Sequence, residues 1–178
     1  NDLTSLSSGT GVTNIGYSAC WGNALTSVTS PDDVTSIGVY AYANDGLPSV
    51  TIGNGVTSIG IAAFSGNALT SVTIGNSVTS IGVQAFRDNA LTSVVFRGDR
   101  PSIDSSAFDS NSALTKIEYC AVRADWPGEA ISVGIFSIVP SPVDCDSDGD
   151  GTLDSEDSYP FDESLSLDTD RFEYAVLG

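Results

Sequence analysis

The residues best equipped for chemistry in this 178-residue chain are the six carboxylates packed into DSDGDGTLDSED, Asp146 to Asp157. Asp146, Asp148 and Asp150 alternate, Gly151 follows, and Asp154 and Asp157 close the run. That is the spacing at which hard oxygen ligands wrap a Ca2+ ion. Side chains come from loop positions 1, 3, 5, 9 and 12, a backbone carbonyl comes from position 7, here Thr152, and a glycine makes the sharp turn. Without a cation these carboxylates repel one another at close range. Position 12 is Asp157 rather than the usual glutamate, which shortens its reach. A solvated acidic linker is the alternative reading of the same residues.

Other reactive chemistry is sparse. The chain has no histidine, so Ser-His-Asp and Cys-His machinery is not expected. A carboxylate pair can serve glycoside hydrolysis, but the clustered carboxylates are better used as calcium ligands. We expect no enzyme. Two of the three cysteines, Cys120 and Cys145, stand on either side of the segment that leads into the acidic run. Bonded, they would close a loop of about 26 residues, worth roughly 3–4 kcal/mol in the chain-entropy model. Free thiols are the alternative.

Composition sets the frame around these residues. Net charge is −17, from 23 acidic and 6 basic side chains. A chain this acidic repels phosphate, which argues against nucleic acid and anionic membrane surfaces as partners. No apolar run approaches the ~20 residues that span a bilayer. The chain starts at Asn1 and carries no signal-like segment, so processing or truncation is expected. Residues 1–143 hold 11 acids and 5 bases, a net of −6, whereas residues 144–178 hold 12 acids and only Arg171, a net of −11. That break sets a boundary between domains 1–143 and 144–178. Val139 to Asp144, VPSPVD, reads as a stiff linker before it.

The first domain is periodic. LTSVTIGNSVTSIGVQAF, Leu69 to Phe86, nearly copies LPSVTIGNGVTSIGIAAF, Leu47 to Phe64, 22 residues earlier. Copies open at Asn1, Asn23, Asp45, Asn67 and Asn89, with a degenerate sixth at Asn111 slipped by one residue. Apolar positions recur in step: Leu3, Leu25, Leu47, Leu69, Leu91, then Leu6, Val28, Val50, Val72, Val94, then Val12, Val34, Val56, Val78, then Ile15, Ile37, Ile59, Ile81, Ile103. The β-branched LTSVTI suits a strand with Leu69, Val72 and Ile74 inward, Gly75–Asn76 suits a turn, and VTSI a second short strand. GVQAF is too short for a stable helix, so a single helical or 3-10 turn is expected. One copy is then one lap of a flattened coil. A single lap buries too few apolar side chains to offset the ordering of its backbone, and only stacking on similar laps supplies the rest.

The pattern VTSIG-x-x-AF-x-x-N-x-LTSVTI resembles the BspA-type leucine-rich repeats of bacterial surface proteins, over residues 1 to about 120. The resemblance implies a mainly β leucine-rich-repeat solenoid acting as a binding scaffold, secreted or displayed at the cell surface. The tail, residues 144 to about 170, lacks the flanking helices of an EF-hand and resembles the thrombospondin type 3-like calcium repeats of bacterial secreted proteins. A second loop would open at Asp168 and Asp170, but Arg171 and Phe172 stand where Asp-Gly would follow.

Each copy also predicts outward and inward polar rows. The opening asparagines read as an internal ladder satisfying turn amides, or alternatively as a row touching a ligand. Cys20 takes a position held elsewhere by Tyr or Phe and should be a buried thiol. Ser5, Ser27, Ser49, Ser71 and Ser93 form one outward row, Thr4, Thr26, Thr70 and Thr92 another, and Thr13, Thr35, Thr57 and Thr79 a third. These hydroxyls either keep a sheet soluble, meet a carbohydrate or protein, or bind ice. The functional expectation is an extracellular adhesion or interaction module stabilised by calcium, with a protein or glycan ligand. A structural subunit of a head-to-tail polymer is the alternative, and ice binding a lower one. Residues 111–143 read as the C-terminal cap, with Trp126, Pro127 and Ile135 covering the last lap. The first lap offers Leu3, Leu6, Val12 and Ile15 as an apolar edge, to be covered by missing upstream residues or by a second copy stacking end to end through Arg171 to Gly178.

Overall fold

The computed structural model describes residues 3–6, 11–120, 130–133 and 136–143. Among them run thirteen short strands: β1 (Asn14–Ile15), β2 (Val28–Thr29), β3 (Ser36–Ile37), β4 (Val50–Thr51), β5 (Ser58–Ile59), β6 (Ser71–Ile74), β7 (Ser80–Ile81), β8 (Ser93–Phe96), β9 (Ser102–Ile103), β10 (Lys116–Cys120), β11 (Ile131–Val133), β12 (Phe136–Ile138) and β13 (Ser141–Val143). The odd strands β1 to β9 stack in order as one parallel sheet. The even strands β2 to β10, with β13 at the far edge, make a second parallel sheet. The strands β11 and β12 form a separate antiparallel pair.

This is the β-solenoid that the repeat demands. Residues 22 apart pair: Ser36 with Ser58, Ile59 with Ile81, Val72 with Val94. The sixth lap keeps the predicted slip, since Lys116 pairs with Ser93 and Ile117 with Val94, 23 residues away. Period 22 places every Leu, Val and Ile of the inward columns over its counterpart, and Leu47, Leu69, Val72, Ile81 and Leu91 are buried. At the inward aromatic position Tyr42, Phe64, Phe86 and Phe108 stack with ring centroids 5.4, 5.3 and 5.5 Å apart and planes within 12° of parallel. Such a column combines large apolar burial with ring–ring contact. Cys20 continues the column as a buried free thiol, as expected. Burial, then the Asp45 carboxylate, pushes its pKa up, which favours the unreactive thiol.

The expected helical turn does not form; no helix occurs among the described residues. GVQAF and its equivalents fold instead as linked tight turns. Ala63 N–H donates to Gly60 C=O and Ser65 N–H to Ala62 C=O, with Ala62 at φ 52° between them. Tyr40 at 55° and Gln84 at 56° repeat that conformation one lap away. The cause is inter-lap bonding. Ala62 and Phe64 point their N–H groups along the axis to Val83 and Ala85 carbonyls, and Tyr40 and Tyr42 do the same to Ile61 and Ala63. A helix would turn those amides onto its own carbonyls and leave the next lap unsatisfied.

Two further expectations change. VPSPVD is not simply a linker: Ser141–Val143 pairs with β10 and adds an edge strand, where Pro142 is tolerated. On the first lap Leu3 and Leu6 are exposed as expected, but Ile15 is buried, because pairing of β1 with β3 seats it over Ile37. Ile131 and Val133 of the expected cap are buried in the common core cluster; Trp126, Pro127 and Ile135, expected to cover the last lap, lie outside the described residues.

Candidate functional site

The polar rows divide into those that hold the stack and those that do not. The opening asparagines hold it. Asn67 Nδ2 donates to the Tyr42 and Phe64 carbonyls at 2.8 and 2.9 Å, while its Oδ1 accepts the Asp45 and Leu47 N–H groups at 3.1 and 3.0 Å. Asn89 and Asn111 repeat this one lap and two laps on. The ladder reading of the row therefore stands. Asp45 is the exception in it. It is 2% exposed, Oδ1 accepts the Asn23 N–H, and Oδ2 has no partner. Burial raises its pKa, opposed by that hydrogen bond. The same burial, followed by the Cys20 and Asp45 charges, raises the pKa of the Tyr42 hydroxyl.

Two threonine rows are also structural. Thr35, Thr57 and Thr79 each donate their hydroxyl to the carbonyl of the threonine one lap before, at 3.1, 2.9 and 3.0 Å. Thr26 and Thr92 do so in the other row. These five threonines are exposed, yet their hydroxyl protons are spent within the chain.

A third row was not singled out from sequence. Thr29, Thr51 and Thr73 lie side by side on the outer face of the second sheet, and their hydroxyls make no hydrogen bond among the described residues. They floor a groove of about 500 Å3. Along one wall stand Asp32, whose Oδ1 accepts the Asn54 N–H at 2.9 Å, and Asn54 itself. Arg97 closes the end nearer the C-terminus. Its guanidinium is half-buried and makes no ion pair or hydrogen bond among the described residues, whereas Arg87 pairs with Asp88 at 3.1 Å and Lys116 with Glu118 at 2.8 Å. Ser30 also lines the groove. It occupies the column of Ile52, Ile74 and Phe96, is 3% exposed, and its Oγ has no partner. The signal was available: a threonine recurs between the inward Val and Ile of each strand, and serine breaks the apolar column once.

The calcium ligands expected at Asp146, Asp148, Asp150, Thr152, Asp154 and Asp157 lie outside the described residues, as does the possible second loop near Asp168. No group of three or more metal-binding side chains occurs among the residues that are described. Cys120 is fully buried at the end of β10 and is disulfide-bonded. Cys145, its expected partner, lies outside the described residues.

Comparison with known proteins places this geometry. A family model described as BspA type leucine rich repeat region matches residues 3–127 in six copies. A leucine-rich repeat protein from Eubacterium ventriosum aligns at a TM-score of 0.61 and 26% identity, covering 69% of this chain and 32% of that one. A leucine rich cell surface protein from Faecalibacterium prausnitzii aligns at 24% identity over 71% of this chain and 48% of that one, with a TM-score of 0.34 too low to bear on the fold. This chain thus spans a third to a half of the solved chains it matches. Comparison with curated proteins gives no significant match. With repeat model, period and stacked sheets in agreement, the chain belongs to the BspA-type leucine rich repeat family.

Proposed function

We propose that the chain is a bacterial interaction module, displayed outside the cell, that binds a protein or glycan partner without covalent chemistry and carries a calcium-stabilised tail. One observation carries the reading. The forces that hold the laps together run through the interior and along the turn ladders, so the outer face of the six-stranded sheet is left with uncommitted polar side chains. A scaffold that fixes its backbone from within can vary that face for recognition. The absence of histidine from the sequence supports binding over catalysis. Family membership supports a surface location, and the Asp146 to Asp157 spacing supports calcium, which fills modest sites at the millimolar levels found outside cells. The full chain, in millimolar calcium, is to be tested on an array of extracellular proteins and glycans. Saturable binding without turnover is expected; no binding to any class contradicts the reading.

End-to-end assembly is the second reading, favoured by Leu3 and Leu6, apolar and 52% and 41% exposed at the edge formed by the first lap. Such an edge templates pairing with another chain. Light scattering with and without residues 171–178 tests it, and a monodisperse monomer in both cases at high concentration rules it out.

A further inference from the structure

The groove on the second sheet brings unspent polar groups of several kinds together. Thr29, Thr51 and Thr73 keep their hydroxyls free of the neighbouring lap, whereas Thr26, Thr35, Thr57, Thr79 and Thr92 do not. Arg97 is uncommitted at one end, and Asp32 at the other has an oxygen to spare. Ser30 lies beneath the groove in the inward column, with its Oγ turned to the core.

We propose that this groove binds an oligosaccharide bearing one carboxylate, of the sialic or uronic acid type; the proposal rests on the non-covalent binding function given above. Its length fits. From the lap of Asp32 to the lap of Arg97 is three rungs, about 14 Å at ~4.8 Å per rung, which suits a short saccharide rather than a single sugar. Its volume, about 500 Å3, lies in the range of small-molecule sites. The chemistry fits as well. The Arg97 guanidinium offers a planar fork that matches a carboxylate with two parallel hydrogen bonds. The threonine hydroxyls both donate and accept, as Asn54 does through its side-chain amide, while Asp32 accepts only; together they complement a polyol. An acidic peptide fits less well, because the apolar residues at the groove, Val50 and Ile52, are buried and leave no pocket for side chains. The carboxylate end of the sugar lies toward Arg97 and its neutral hydroxyls toward Asp32.

The test uses the full chain in millimolar calcium, with sialyllactose, a glucuronic acid disaccharide, lactose and tetraglutamate as probes, read by backbone amide chemical shifts and calorimetry. We expect one or both acidic sugars to shift Thr29, Thr51, Thr73 and Arg97 amides, with lactose at least about tenfold weaker, the effect of one charge-assisted pair. Arg97→Gln should remove that preference and Thr51→Val should weaken binding several-fold, both with unchanged melting temperature. The proposal is overturned if the shifts fall on another face, if lactose or tetraglutamate binds as well, if no probe binds, or if neither variant changes affinity. Should the array show a partner whose binding Arg97→Gln does not alter, the scaffold reading survives and the groove assignment falls. With no partner on the array and no probe bound, both fall.

Discussion

The Asp45 carboxylate accepts the backbone N–H of Asn23 at 2.5 Å through Oδ1, while Oδ2 reaches no donor. On the next rung Asn67 fills the same place and spends two N–H groups on the Tyr42 and Phe64 carbonyls. Asp45 is therefore an acceptor where the ladder calls for a donor. Asp45→Asn should stabilise the fold by roughly 1–3 kcal/mol, the cost of one buried unsatisfied group. Burial raises the Asp45 pKa in the folded state, so the folded chain holds its proton more tightly than the unfolded chain. Asp45 then favours folding at low pH, and that contribution is lost as pH rises from the unfolded value, about 3.9, through the raised folded one. The stability gap between Asp45→Asn and the parent should widen over that window. Thermal melts from pH 4 to 7 check it, and a constant gap would exclude the titration of Asp45 as its source.

Ser30→Val should raise stability and leave affinity alone. The substitution removes a buried hydroxyl with no partner and restores part of the bulk that Ile52, Ile74 and Phe96 supply in later laps. A gain of about 1 kcal/mol is expected. Sugar binding in the groove should be unchanged, since residue 30 fills the inward column while Thr29 faces the groove. Melting and calorimetric titration of the same preparation check both outcomes.

Calcium should stabilise the tail by mass action. At about a hundred times the dissociation constant the shift is about 2.7 kcal/mol if the unfolded chain does not bind. The motivation is the carboxylate spacing Asp146 to Asp157. Asp150→Asn should lose most of the effect. Calorimetry that shows neither heat nor a melting shift at millimolar calcium would refute the site.

Reduction should loosen the junction between repeats and tail. Cys120 is disulfide-bonded, Cys20 is free, and Cys145 is the third cysteine in the chain. The proposed Cys120–Cys145 bond would be worth roughly 3–4 kcal/mol for a loop of about 26 residues. Peptide mapping under non-reducing conditions identifies the pair, and an unchanged melting temperature after reduction would contradict its contribution.

The repeat made the fold legible because each lap meets a copy of itself. Once Leu69 sits over Leu47 and Leu91, the inward columns, the asparagine ladder and the burial of Cys20 all follow. The Ala62 turn did not follow. Its local sequence permits a helical turn, and only the demand of Val83 and Ala85 carbonyls for donors selects the other conformation. The strand at Ser141–Val143 was hidden for a similar reason, since prolines signal a linker while the open edge of β10 signals a partner. The groove was hidden because spent and free hydroxyls look alike in sequence. Thr57 and Thr51 differ only in whether a carbonyl of the neighbouring lap lies within reach.

The separation of a load-carrying interior from a free outer face is tested most directly by parallel thermal unfolding of four variants. Phe64 and Phe86 are fully buried within the aromatic column, whereas Ser71 and Thr51 are exposed on the second sheet. Phe64→Ala and Phe86→Ala should each lose about 3–5 kcal/mol. Ser71→Ala and Thr51→Val should each change stability by less than about 0.5 kcal/mol. Equal losses from the two kinds of substitution would contradict the account.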